Sequence, residues 1–225
     1  GYLHSYHQLV APEKRWTNLR DDHELYCMGH FIEAAVALYE ALGDRDTLAT
    51  AVRVSDHLAT VFGRGPGQQR GYCGHEEIEL ALVKLYRVTG ERRHLELASY
   101  FIEERGQNPH YFHQEAQARG DEPSKYWAKT YSYCQAHLPV REQLEVTGHA
   151  VRAMYLYCAM ADLAEQTSDA SLLAACQRLH RQLVDTRLYL TGGIGSVPRI
   201  EGFSVAYDLP VQGGYSETCA SIGLG

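Results

Sequence analysis

The feature that most restricts what this chain can fold into is a pattern that recurs three times: a Gly-His pair, an apolar helical run containing Leu-Tyr, a polar turn, and a second amphipathic run. The first copy has Gly29-His30, then Phe31, Ile32, Ala34, Ala35, Val36, Leu38 and Tyr39, a turn at Gly43-Asp44-Arg45-Asp46, and a run from about Leu48 to Phe62. The second has Gly74-His75, Leu80, Leu82, Leu85 and Tyr86, a turn at Gly90-Glu91-Arg92, and a run from about Leu95 to Ile102. The third has Gly148-His149, Val151, Met154, Leu156 and Tyr157, a turn near Ser168-Asp169, and a run from about Leu172 to Val184. The first run of each pair is nearly apolar all round, which predicts a helix buried on several sides. The second carries a polar face (Arg53, Asp56; Glu96, Glu103, Glu104; Arg178, Arg181) and belongs outside. The chain is therefore expected to be all-α, built of helical hairpins that form part of an (α/α)6 toroid over residues 1–225, although hairpins also stack as open solenoids. An incomplete ring would leave apolar inner-helix surface exposed.

Each Gly-His pair is expected at the start of an inner helix, so in a toroid His30, His75 and His149 would point into one end of the central cavity and could bind a polar ligand. Histidines that only cap helix starts are the alternative. His23, His57, His94 and His180 are expected to be structural. Between Gln107 and Gln143 the chain is rich in aromatics, Gly and Pro (Tyr111, Phe112, Tyr126, Trp127, Tyr131, Tyr133), a long connection of the kind that carries function.

Composition narrows the ligand. With a net charge of −7 and scattered Lys and Arg, binding to nucleic acid is disfavoured, and a neutral ligand such as a sugar fits better. Sixteen tyrosines suit such a ligand, since an aromatic face packs on sugar C–H groups while the hydroxyl bonds sugar oxygens. No apolar run is long enough for a membrane span. Six widely spaced cysteines without a Cys-x-x-Cys pair read as reduced thiols of a cytoplasmic protein. A start at Gly1 and an end within Ala220–Gly225 suggest that N- and C-terminal parts of the parent protein lie outside this stretch.

After the third hairpin the helical pattern is expected to give way to an irregular Gly-rich loop, with glycines at 192, 193, 195, 202, 213 and 214 that permit tight turns over a cavity mouth. Glu201 and Glu217 are the carboxylates best placed for acid–base work. Glu217 and Cys219 lie two apart, so in an extended segment both side chains would face one way and could reach one metal ion; an ordinary loop Glu and a buried thiol are the alternative.

The strings Tyr189–Ser196 (YLTGGIGS), Glu201-Gly202-Phe203, Tyr207-Asp208-Leu209-Pro210 and Tyr215–Gly223 (YSETCASIG), in that order, resemble the core of glycoside hydrolase family 127. Gly74–Gly90 (GHEEIELALVKLYRVTG) and Gly148–Tyr157 (GHAVRAMYLY) are similar to its helical segments. The resemblance implies an (α/α)6 toroid glycosidase that releases β-L-arabinofuranose with retention, through a cysteine nucleophile bound to zinc. It implies Glu201 as the general acid/base, Glu217 and Cys219 as two Zn2+ ligands, and His30, His75 and His149 as sugar contacts. The nucleophile and the remaining zinc ligands are expected beyond Gly225, so residues 1–225 alone should not turn over substrate. Two other readings compete: a toroid sugar lyase or epimerase, which would not need Cys219, and a non-catalytic helical-repeat binding module.

Overall fold

Helix punctuation in the sequence sets the architecture of the computed structural model, which describes residues 1–225. Asp44 accepts hydrogen bonds from the amides of Asp46 and Thr47 at 3.0 and 3.2 Å, and Asp169 accepts from those of Ser171 and Leu172 at 3.0 and 2.9 Å. Both are N-caps that open outer helices. Gly43 and Gly90, at φ 71° and 72°, close inner helices in the left-handed conformation that glycine adopts without strain. The same position in the third hairpin is filled by Ser168 at φ 55°, so that turn lacks the glycine signal.

Nine α-helices result: α1 (Ser5–Leu9), α2 (Glu24–Leu42), α3 (Arg45–Val61), α4 (Ile78–Thr89), α5 (Arg92–Glu104), α6 (Tyr111–Ala118), α7 (Ala150–Thr167), α8 (Ala170–Thr186) and α9 (Thr218–Leu224). There are isolated β-bridges but no strand, so the all-α expectation holds. The three expected hairpins are α2–α3, α4–α5 and α7–α8, and the outer-helix bounds fall within three residues of those read from the sequence.

Two compact units divide the chain. The first comprises Gly1–Glu104 and Asn108–Pro123. Within it α2 packs on α3 and α4, and α4 on α5, over a core that includes Met28, Ile32 and Ala35 from α2, Ile78, Leu82 and Leu85 from α4, and Phe62 and Phe101. Each large apolar side chain buried there contributes roughly 1.5–3 kcal/mol relative to exposure. His94 is buried and meets the Ser55 hydroxyl at 2.7 Å, tying α5 to α3 in the structural role expected of it. Not all of α2 is covered: Ala34, Ala37 and Leu38 are exposed, unlike α4, whose residues from Ile78 to Val83 are all buried.

The second unit comprises Arg105–Gln107 and Ser124–Gly225. In it α7 packs on α8 and α9 through Ala153, Leu156, Ala159, Met160 and Leu163, opposite Leu172, Ala175, Leu179 and Leu183 of α8. Arg105 is fully buried there and donates to the Cys134 carbonyl at 2.9 Å. Arg141 adds a bidentate ion pair to the Asp169 cap, at 3.1 and 2.9 Å. Its guanidinium and the capped amides hold the Asp169 carboxyl well below the usual carboxylate range. An Asp169→Ala variant should therefore lose about 1 kcal/mol of stability at neutral pH. A depressed folded-state pKa stabilises above the unfolded value and is lost in acid, so the gap in melting temperature from the unsubstituted protein should narrow as pH falls below about 4. Thermal melts across pH check this, and a gap independent of pH would remove the carboxylate from the role.

Three expectations need correction. Gly29-His30 do not start α2, which begins at Glu24 because Glu24 to Met28 contain no helix-breaking residue. The connection from 107 to 143 is not one loop, since it folds into α6 and three short 3-10 turns at Pro123–Lys125, Tyr131–Cys134 and Val140–Glu142. Helical structure also returns after the Gly-rich segment, as α9.

Candidate active site

In the second unit the site is built around the start of α7. His149 is its N-cap, with extended backbone (φ −71°, ψ 130°), and its Nδ1 accepts the Arg152 amide at 3.4 Å. A nitrogen that accepts carries no proton, so Nε2 is the protonated ring nitrogen and donates to Glu201 Oε2 at 3.1 Å. Burial, then the neighbouring Arg152 charge, hold the imidazole pKa below the ordinary histidine value, which keeps it neutral at pH 7.

Glu201 reaches His149 across 52 residues of sequence because two glycines allow the backbones to touch. Gly148 sits at φ 76°, and a Cβ added at Gly202 would lie 1.9 Å from the Gly148 carbonyl oxygen. The crossing is stitched by Ala150 N–H to Glu201 O at 3.0 Å and Phe203 N–H to Gly148 O at 2.9 Å. Glu201 itself takes the left-handed conformation, φ 50°, a local strain tolerated when the surroundings enforce it. Its side chain is 50% exposed, so the carboxyl, held by His149 and also met by the Tyr215 hydroxyl, remains accessible to a ligand.

Further side chains surround this pair. The Arg152 guanidinium lies 4.7 Å over the Tyr133 ring, whose edge contacts His149. Tyr215 donates its hydroxyl to Glu217 Oε2 at 2.8 Å, and burial followed by that carboxylate raises its pKa, so it remains a proton donor. The Cys219 thiol also bonds the Glu217 carboxylate, which pushes the thiol up. Glu217 and Cys219 do meet, but not through strand alternation. Glu217 is the extended N-cap of α9 and Cys219 lies in its first turn, a conversion that a helix of only seven residues hardly signals in the pattern. Cys219 is exposed, against the buried-thiol alternative. One oxygen and one sulfur donor in mutual contact suit half of a zinc ligand set.

The other two histidines lie in the first unit, where the structure brings them together on one aromatic ring. Tyr26 has His30, one turn later in α2, and His75, just before α4, each at 4.4 Å from its centroid. His23, expected to be structural, joins them at 5.7 Å from His75. A cavity of about 580 Å³ beside His30 is lined also by Glu33 and Lys84. Ligand atoms of His30, Glu33 and Glu77 all lie within 4.8 Å of one another, but Lys84 pairs with Glu33 and already supplies a positive charge there. A larger cavity of about 800 Å³, lined by Tyr6, His7, Trp16, Tyr111 and Glu115, contains none of the expected site residues.

Comparisons with known proteins bear on this arrangement. The family model of the β-L-arabinofuranosidase GH127 catalytic domain matches residues 1–225. A non-reducing end β-L-arabinofuranosidase from Bifidobacterium longum subsp. longum is 39% identical over 230 residues, spanning 100% of this chain and 35% of that protein. Among solved structures, a GH127 β-L-arabinofuranosidase from Geobacillus stearothermophilus T6 superposes with a TM-score of 0.96 at 53% identity, over 99% of this chain and 35% of the other. A further GH127 β-arabinofuranosidase gives 0.82 at 40% identity, over 96% of this chain and 31% of the other. The chain thus spans about a third of the length of these relatives.

Proposed function

The chain belongs to the GH127 β-L-arabinofuranosidase catalytic-domain family, and from that membership we propose that the parent protein is a retaining glycoside hydrolase releasing non-reducing-end β-L-arabinofuranose from arabinose-containing oligosaccharides or glycans. The observation that carries the reading is the His149–Glu201 contact, 3.1 Å long and enforced by a glycine-on-glycine crossing. Such an arrangement fixes one carboxyl oxygen and leaves the half-exposed carboxyl within reach of a substrate.

Glycoside cleavage requires a proton on the departing oxygen and, after the sugar is transferred, removal of a proton from water. Glu201 does both: it donates from its accessible carboxyl to the leaving group and takes a proton back from the attacking water. His149 Nε2–H stays bonded to Oε2 and orients the carboxyl, while the neutral imidazole adds no charge to disturb the proton's return. His30, His75 and His149 are assigned to the hydroxyls of the sugar.

Zinc fits the donors present, since the Glu217 carboxylate and the Cys219 thiol are already in contact at the start of α9. Bound there with ligands from outside residues 1–225, the metal would hold thiols as thiolates at neutral pH and so supply a nucleophile. Tyr215 also holds Glu217 in place through its Oε2. The Glu217–Cys219 contact favours this reading over a sugar lyase or epimerase, which has no use for the thiol.

The partner is thus a carbohydrate. No helix of the structure is long and apolar enough to cross a membrane, and the wide spacing of the cysteines in the sequence favours a cytoplasmic location. The test is zinc analysis of the full-length parent together with its hydrolysis of p-nitrophenyl β-L-arabinofuranoside. Stoichiometric zinc and release of arabinose with retained configuration are expected. A zinc-free parent that is fully active would overturn the metal assignment, and no cleavage of any furanoside would overturn the reaction.

A further inference from the structure

We infer that Glu77 is a positioning residue for His30, gripping its Nδ1 edge so that the imidazole is presented to the sugar in a single orientation; this rests on the sugar-contact role proposed for His30.

Glu77 is 1% exposed, and neither of its carboxyl oxygens has a donor in good hydrogen-bond geometry. A buried polar group in that state is costly, so the nearest polar neighbours explain why it is there. They are two. Oε1 lies 3.2 Å from His30 Nδ1, and the carboxyl also meets that of Glu33. Two carboxyls in contact cannot both ionise easily. Burial first, and then Glu33, push the Glu77 pKa up to about 9, so a proton is held in this cluster at neutral pH and can lie between Glu77 and the imidazole.

The residue before His30 shows that the approach is built rather than incidental. Gly29 lies inside α2, where glycine weakens a helix. A Cβ there would lie 2.6 Å from Glu77 Cγ and 3.0 Å from the Ile78 amide nitrogen. Only glycine lets the chain entering α4 settle against α2 at this point, and that places Glu77 beside His30. On its other side the imidazole meets the edge of Tyr26, at an interplanar angle of 82°. Since 41% of the His30 side chain is exposed, a ring held at its Nδ1 edge and its face can turn the remainder outward. Lys84, paired with Glu33, keeps the second carboxyl in place.

The experiment is a double-mutant cycle in the full-length parent with p-nitrophenyl β-L-arabinofuranoside: Glu77→Leu, His30→Ala and the pair. Glu77→Leu should lower kcat/KM on the order of tenfold, as loss of outer supporting partners does elsewhere. It should add nothing in the His30→Ala background, and Glu77→Gln, which keeps a polar group of the same size, should recover most of the loss. Additive losses would overturn the inference, because they would mean that Glu77 acts on stability or through another residue. Should Glu77→Leu fail to fold, Gly29→Ala, which drives Glu77 from α2 with both side chains kept, takes its place in the cycle with the same expectation. Histidine ring 15N spectra read the link without substrate. A changed His30 tautomer ratio in the Glu77 variant supports it, and an unchanged ratio overturns it. If the unsubstituted parent cleaves no furanoside, the proposed reaction fails while these spectra still decide the role of Glu77.

Discussion

Glu201→Gln in the full-length parent should lower kcat/KM by about 10²–10⁴-fold, the range contributed by a positioned general acid/base, with little change in melting temperature. Glutamine matches the size of glutamate, and its amide oxygen still accepts from His149 Nε2–H, so the contact at 3.1 Å survives. The side chain is half exposed, so no core packing is lost. What glutamine cannot do is give up a proton and take one back. The loss should consequently grow with the basicity of the leaving group. A p-nitrophenolate departs with little protonation, whereas a sugar alkoxide cannot, so arabinose-terminated oligosaccharides should suffer more than the aryl glycoside. Equal losses on both substrates would place the defect in binding, and preserved activity would remove Glu201 from the role.

The hairpins were legible because their signals are local. Asp44 and Asp169 each accept from amides two and three residues on, and Gly43 and Gly90 close helices through their own backbone conformations. Short-range chemistry of this sort can be read from a window of a few residues. The errors arose where a residue answers to something distant. Gly29 looked like a helix start, yet it lies in mid-helix to accommodate Glu77 and Ile78, about fifty positions away. His149 does cap a helix, so two histidines with the same Gly-His signature hold different backbone positions. Loose spacing in the repeat was the outward sign of that difference.

The same distinction governs the groups proposed for catalysis and metal binding. Glu201, Glu217 and Cys219 were marked out by resemblance to a family, and the structure adds how they are held. Tyr133 stood out only as one aromatic of the 107–143 connection and Arg152 had no distinguishing signal, because an Arg-on-Tyr stack beside a histidine depends on separate segments meeting. Tyr215 could have been found, since a tyrosine two residues before a glutamate can reach its carboxylate when the backbone is irregular.

The Gly148–Gly202 crossing is the least legible feature of the site and the one whose disruption should be most damaging after loss of Glu201 itself. In Gly202→Ala the new Cβ would lie 1.9 Å from the Gly148 carbonyl oxygen and 2.7 Å from its carbon. Both are backbone atoms, so no side chain can rotate away. Relief requires the segment carrying Glu201 to withdraw, which breaks the Phe203 to Gly148 and Ala150 to Glu201 hydrogen bonds. Those two bonds, at about 1 kcal/mol each, predict a destabilisation of roughly 2–3 kcal/mol once the residual clash is added. Withdrawal also separates Glu201 from His149, so kcat/KM should fall about as far as in Glu201→Gln, by about 10²–10⁴-fold. Gly192→Ala provides the control. It sits at φ 84° with nothing within 4 Å of an added Cβ, so it should cost about 1 kcal/mol of backbone strain and leave turnover intact. If Gly202→Ala instead behaves like Gly192→Ala in both melting and kinetics, the close approach of the two glycines does not hold the acid in place, and Glu201 must owe its position to the left-handed turn alone.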